Sequence, residues 1–269
     1  MALPRPSTTT TAIVTGASSG LGVHFATELA ALGHHVTLVA RREEPMVALA
    51  HEIARGGAPQ PVLIVVADLG TESGRDALWS KLEEIGRTPS VLINNAGFST
   101  VGPVSSSVVE REVALVRTNV EAVVALSTKA LSFMVAAAEG ALLNVASTAA
   151  FQPVPGQAAY GASKAFVLSY TLGLAAEVAG QNITVTALCP GPVATGFAEA
   201  AGFSADAVNV LPKIMWVDAE KVARAGLEGL GQGANVVIPG AVNKVAARVA
   251  RHAPQAFLAK ILAKRHPQL

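Results

Sequence analysis

Ser147, Tyr160 and Lys164 are the residues of this 269-residue chain whose types and spacing most readily do chemistry. They stand in Ser-Thr-Ala-Ala-Phe-Gln-Pro-Val-Pro-Gly-Gln-Ala-Ala-Tyr-Gly-Ala-Ser-Lys. This is a hydroxyl at the end of an apolar run, a loop broken by proline and glycine, then a tyrosine and a lysine four residues apart. A helix from about Gln157 onward stacks Tyr160 and Lys164 on one face, one turn apart. An ammonium beside a phenol favours the phenolate, so the spacing predicts a tyrosine pKa below its ordinary value of about 10. A hydroxyl from a neighbouring strand completes a proton-transfer site. The pair alone also occurs on ordinary helix faces, so the rest of the chain has to supply a redox cofactor site around it.

Gly16, Gly20 and Gly22 follow an apolar strand and open a helix, the context in which glycines let the backbone approach a pyrophosphate at a helix N-terminus. The spacing is G-x-x-x-G-x-G rather than the general G-x-G-x-x-G. A second signal lies at the end of the second strand. An acid there would bind the ribose 2′-hydroxyl of NAD. This chain has Ala40-Arg41-Arg42 instead. A guanidinium can pair with a 2′-phosphate, so NADP(H) is preferred over NAD(H). Arg41 is the better candidate, and Arg42 reads more readily as a solvated loop charge.

The elements that must position these groups alternate along the chain. Strands are expected at Thr11–Thr15, His35–Val39, Val62–Val66, Val91–Asn94, Ala141–Val145, Ile183–Leu188 and Asn235–Ile238. Helices are expected between them, including one long helical region from about Ser107 to Ala138 and the Tyr160 helix to about Ala179. Seven apolar strands separated by helices predict a Rossmann-type, doubly wound α/β fold: one domain with a seven-stranded parallel sheet covered on both faces. No repeat or linker marks a second domain. The expected division is a catalytic Rossmann domain over residues 1–240 and a helical tail over 241–269.

Composition narrows the function classes. Half the residues are apolar and 14% are charged, which provides a sizeable core and argues against disorder. The net charge of +1 offers no global attraction to nucleic acid. The single cysteine, Cys189, rules out an intramolecular disulfide and fits a reducing compartment. It reads as a buried filler rather than a reactive thiol. The N-terminal stretch lacks the apolar core of a signal peptide, and the longest uncharged run, Gly140–Ser163, contains two prolines and many polar side chains. The expectation is a soluble cytoplasmic protein with no transmembrane segment.

Taken together, Thr15-Gly-Ala-Ser-Ser-Gly-Leu-Gly22, Asn94-Asn-Ala-Gly97, Asn119, Ser147, Tyr160-x-x-x-Lys164 and Pro190-Gly191 resemble the short-chain dehydrogenase/reductase family of the single-domain type. The resemblance runs from about Ala12 to Gly240. A tail following a Val-Ile-Pro-Gly strand end is similar to the bacterial ketoacyl reductase-like branch. The resemblance implies Tyr160 as general acid, or base in the reverse direction, with Lys164 holding the nicotinamide ribose and favouring the tyrosinate. It implies Ser147 as the donor to the substrate oxygen, and Asn119 as the holder of a water joining Lys164 to solvent. For the cofactor it implies the loop residues Gly16, Ser18, Ser19, Gly20, Leu21 and Gly22. Arg41 and Arg42 follow for the 2′-phosphate, with Asp68 and Leu69 near the adenine. Asn95, Ala96 and Gly97 lie beside the cofactor, Asn95 mainly tying central strands together. Pro190, Gly191, Val193 and Thr195 grip the nicotinamide carboxamide. No metal is implied.

The substrate side is read from residues after the motif strands. The variable loop Gly196–Val217 holds Phe197, Phe203, Val208, Leu211, Ile214, Met215 and Trp216, and Phe98, Phe151 and Val154 could line the same cleft. Apolar lining suits a lipophilic ketone, aldehyde or acyl chain. In the tail, Val245, Val249, Phe257, Ile261 and Leu262 alternate with basic residues in a helical pattern interrupted at Pro254. Such a helix can lie on an anionic membrane surface, pack over the cleft or sit against a second subunit, with packing favoured. A homodimer or homotetramer through the long helix and the Tyr160 helix is expected from the resemblance. The rival from another class is a catalytically silent NADP-binding sensor, which has no chemical use for Asn119, Ser147, Tyr160 and Lys164 together.

Overall fold

The alternation of apolar residues along the central strands decides the architecture. In the computed structural model, which describes residues 3–203 and 212–265, strand β1 (Thr10–Thr15) is buried over five of its six positions. Ala12 and Val14 point to one face with Phe25, Leu29, Met46 and Leu227. Ile13 points to the other with Leu78, Leu126, Met134 and Leu142. With a side-chain period of two, the unbroken apolar run Ala12–Val14 feeds two cores, one on each face of a sheet.

The chain builds that sheet from β1, β2 (Val36–Ala40), β3 (Val62–Val66), β4 (Thr88–Asn94), β5 (Gly140–Val145), β6 (Ile183–Leu188) and β7 (Val236–Val237). The order is β3-β2-β1-β4-β5-β6-β7 and all pairs are parallel, with Ile13 opposite Leu92 and Leu92 opposite Leu142. Helices α1 (Leu21–Ala31) and α2 (Glu43–Arg55) cover the first face, and α3 (Glu72–Glu84) covers the second. Thr71 caps α3, its hydroxyl accepting from the Gly74 amide at 3.1 Å. The strand order reverses between β1 and β4, so the crevice for a ligand lies beyond the carboxyl ends of these strands.

The long helical region expected over 107–138 is divided. A 3₁₀ turn at Val104–Ser106 precedes α4 (Val109–Val116), a π-helical turn spans Arg117–Glu121, and α5 (Ala122–Ala137) follows. Together Val109–Ala137 is long and apolar enough to cross a membrane by length and composition. Ala122, Leu126, Ala130 and Met134 of this stretch lie in the second core. The π turn inserts an extra residue and brings Asn119 inward to 1% exposure.

Helix α6 (Ala158–Glu177) carries Tyr160 and Lys164. Beyond β6 come α7 (Phe197–Ala201), a 3₁₀ turn at Lys213–Met215 and α8 (Ala219–Gly231). Asp218 caps α8 by accepting from the amides of Glu220 and Lys221. The chain continues through α9 (Ala241–His252) and α10 (Gln255–Arg265).

Candidate active site

Four loops meet at the carboxyl ends of the central strands. The first turn after β1 carries the glycines. A Cβ on Gly22 would stand 2.3 Å from the Gly16 carbonyl oxygen, so only glycine lets the first turn of α1 close on this loop. Gly20 faces Thr195 across the crevice, with an ideal Cβ 3.5 Å from the threonine side chain. The loop is tied to β4 by Thr15, whose hydroxyl accepts from the Asn95 and Ala96 amides at 2.9 Å and donates to Ile93. Asn95 returns the tie, its side-chain amide donating to the Thr15 carbonyl at 2.8 Å. A backbone cradle at a helix N-terminus, open toward Thr195, fits a dinucleotide pyrophosphate.

At the end of β2 the two arginines part. Arg42 donates to the Ser18 and Ser19 hydroxyls at 3.1 and 3.2 Å, whereas exposed Arg41 has no hydrogen bond among the described residues. Arg42 is exposed as well, and it leans over the glycine loop. Asp68 accepts from the Gly70 amide at 3.0 Å, and Leu69 is buried in the second core.

Tyr160, Lys164 and Ser147 come together as the spacing predicts. Ser147 ends the β5 segment and caps the 3₁₀ turn Thr148–Phe151. Its hydroxyl accepts from Ala149 at 3.1 Å and lies 3.5 Å from the Pro190 carbonyl. Lys164 is 6% exposed and donates to the Val145 carbonyl at 2.8 Å, with its ammonium 5.7 Å from the Tyr160 ring centre. Asn119 holds Phe98 through both backbone groups, at 3.1 and 2.9 Å, and donates to Ser163 at 3.2 Å. Gly97 lies between the Asn119 and Lys164 side chains, and a Cβ there would stand 3.0 Å from Oδ1 and 3.6 Å from Nζ.

The tyrosine pKa runs against the expectation. Burial of the hydroxyl end pushes the phenol up to about 12, with the Ser147 hydroxyl pulling the other way. Burial also pushes Lys164 down to about 8, and Cys189 opposes this in part. Desolvation therefore outweighs the Ser147 hydrogen bond, while the Lys164 ammonium sits over the ring and is bonded to a carbonyl. Cys189 is fully buried with its thiol pushed up to about 12, in keeping with an inert filler.

The apolar candidates separate as well. Phe197 packs on Tyr160, ring centres 5.8 Å apart. Ile214 is 73% exposed, while Val208 and Leu211 lie outside the described residues. Phe151 and Val154 line an apolar groove of about 540 Å³ with Ala158, Ala162, Ala165 and Gln255. At 3.6 residues per turn these alanines lie roughly opposite Tyr160 and Lys164 around α6. Phe151 and Val154, expected beside the Tyr160 cleft, line this groove. No cluster able to hold a metal ion occurs among the described residues.

A dinucleotide cradle beside a serine, tyrosine and lysine defines an oxidoreductase of the doubly wound class. The chain belongs to the short chain dehydrogenase family, whose profile matches residues 10–203. It is 34% identical over 200 residues to a protein assigned as ketoacyl reductase 1 of the granaticin polyketide synthase of Streptomyces violaceoruber, covering 74% of this chain and 73% of that one. It is 35% identical over 187 residues to a sulfoacetaldehyde reductase of Chromohalobacter salexigens, covering 68% and 72%. A short-chain dehydrogenase from Sphingobium yanoikuyae, solved with NADPH, superposes with a TM-score of 0.79 at 32% identity, over 97% and 98% of the two chains.

Two features escaped the sequence reading. Thr15 was visible as part of the glycine motif, but its role as a double acceptor depends on where β4 ends. Asn243, on the tail helix α9, is 1% exposed and presses against Gly191. Its signal was a single amide on the inner side of an amphipathic helix, in line with buried Ala247 and Ala250.

Proposed function

We propose that the protein transfers hydride between NADP(H) and the carbonyl or secondary alcohol of a lipophilic substrate. The observation that carries this reading is the Ser147, Tyr160 and Lys164 cluster, with Phe197 packed on the tyrosine. The nicotinamide supplies the hydride. Tyr160, which keeps its proton at neutral pH, gives it to the carbonyl oxygen, and Ser147 donates a hydrogen bond to the same oxygen. Lys164 places a positive charge behind the phenol as negative charge develops there. Preference for the 2′-phosphorylated cofactor is supported by Arg42 over Ser18 and Ser19, by the absence of an acid among residues 40–42, and by the NADPH held by the Sphingobium relative.

A panel of aliphatic, aromatic, steroid and acyl-thioester carbonyls, followed by NADPH absorbance, tests the substrate class. Turnover is expected with at least one apolar ketone and not with sulfoacetaldehyde. Preference for the small anionic aldehyde would sink the lipophilic assignment, and no NADPH consumption with any member would sink the reductase.

Exposed Val109, Val113 and Val116 on α4 and Phe166 on α6 support a homo-oligomer through these helices. A second reading, a fatty-acyl or steroid-type ketoreductase whose tail visits membranes, is favoured by exposed Val245, Val249 and Phe257 among Lys244, Arg248 and Arg251. On that reading the full chain co-sediments with anionic vesicles and not with neutral ones; equal partitioning removes it.

A further inference from the structure

The Asn243 side chain stands where three parts of the site meet. Its Nδ2 donates to the Met215 carbonyl at 2.9 Å, at the end of the substrate loop, and to the Pro239 carbonyl at 3.2 Å, beyond β7. Two carbonyl partners fix which end of the amide is nitrogen, since the reverse orientation would set oxygen against oxygen. Its Oδ1 is buried with no hydrogen-bond partner among the described residues. The flat of the amide lies on Gly191: a Cβ built there would be 2.5 Å from Cγ and Nδ2 and 2.6 Å from Oδ1. Gly191 is therefore glycine because Asn243 occupies the space a side chain would need.

The neighbours of Gly191 are the working parts. The Pro190 carbonyl accepts from the Thr148 amide at 2.9 Å and lies 3.5 Å from the Ser147 hydroxyl. The Pro192 carbonyl accepts from Val217, and Val193 bridges to Val217 at the far end of the substrate loop. Displacing Asn243 would release Gly191, Met215 and Pro239 together and take the Asn243 donor from a buried carbonyl at Pro239 and a part-buried one at Met215.

We infer that Asn243 is a positioning residue for the nicotinamide half of the site, which makes the tail helix α9 a structural part of the cofactor cleft. The inference rests on the reading of Pro190, Gly191, Val193 and Thr195 as the segment that holds the nicotinamide. The glycine loop and Arg42 lie on the other side of the crevice and have no hydrogen bond to Asn243.

Calorimetric titration with NADPH and with adenosine 2′,5′-bisphosphate, which lacks the nicotinamide half, separates the two halves without turnover. Asn243→Ala is expected to weaken NADPH about tenfold, the effect of one to two lost hydrogen bonds, and to change the bisphosphate by less than about twofold. Gly191→Ala should weaken NADPH in the wild-type background and add little to Asn243→Ala, because the obstructing amide is gone. Asn243→Ser, a milder change that keeps a donor, should fall between and serves if the alanine variant does not fold. Equal weakening of both ligands would make Asn243 a general scaffold residue and overturn the inference. So would unaltered NADPH affinity, or additive losses in the double variant. A wild-type chain that binds neither ligand would overturn the dinucleotide reading itself, and the inference with it.

Discussion

Tyr160→Phe is expected to lower kcat for carbonyl reduction by about 10³-fold, inside the range of about 10²–10⁴ typical of positioned acid–base groups. NADPH affinity should change by less than about threefold. The substitution removes one hydroxyl and keeps the ring that packs on Phe197, so the fold has no reason to respond. The phenol is the group in the cluster that holds a proton at neutral pH and has an acceptor oxygen to give it to. Ser147 is already hydrogen-bonded to backbone and has no means of reaching the anionic form at that pH. Lys164 is bonded to the Val145 carbonyl. The pH profile supplies a second reading of the same site. Lys164, pushed down to about 8, loses its charge as pH rises through that value, while Tyr160 at about 12 stays protonated. The reductase rate should therefore fall above about pH 8, earlier than tyrosine ionisation would allow. Near-wild-type turnover by Tyr160→Phe would refute the assignment, and a rate that holds flat to pH 10 would remove Lys164 from it.

The strands and their order of alternation were legible because burial on two faces leaves runs such as Ala12–Val14 and Val91–Ile93 with no polar position to mistake. Tyr160, Lys164 and Ser147 were legible because helix periodicity and a strand end suffice to bring them together. What escaped depends on distances between segments remote in the chain. The π turn at Arg117–Glu121 is held by Asn119 bonding to Phe98, a contact that no local pattern announces. The tyrosine pKa was read from its cationic neighbour alone, yet burial, a tertiary property, is what dominates it. Phe151 and Val154 follow a motif strand, and the chain after Ser147 sets them in a groove with Ala158, Ala162 and Ala165 of α6. Asn243 lies outside the motif region by sequence, and the chain brings it back to Gly191 only after β7 is in place.

The arginine pair shows the same limit and yields the second large effect. Arg42→Asp is expected to lower the preference for NADPH over NADH by about 10²-fold, and Arg41→Asp by less than about tenfold. Both residues follow the same strand, and sequence alone favoured Arg41. Arg42, however, stands at the N-cap of α2 in an extended conformation, with its guanidinium 3.1 Å from the Ser18 hydroxyl and 3.2 Å from that of Ser19. A 2′-phosphate resting by that loop would meet a donor fork already in place, and charge-assisted hydrogen bonds of this kind contribute about 1.5–3 kcal/mol each, roughly 10–100-fold in affinity. An aspartate there removes the fork, repels a phosphate, and offers the acceptor that an unmodified ribose uses. Arg42→Lys keeps the charge without the planar fork and should lie between wild type and Arg42→Asp. Ratios of kcat/KM for the two cofactors, measured with one substrate at fixed ionic strength, decide the matter. Equal shifts for Arg41→Asp and Arg42→Asp would mean that the phosphate is held by the pair as a diffuse charge. An unchanged ratio in Arg42→Asp would mean that the 2′-position is read elsewhere in the cleft.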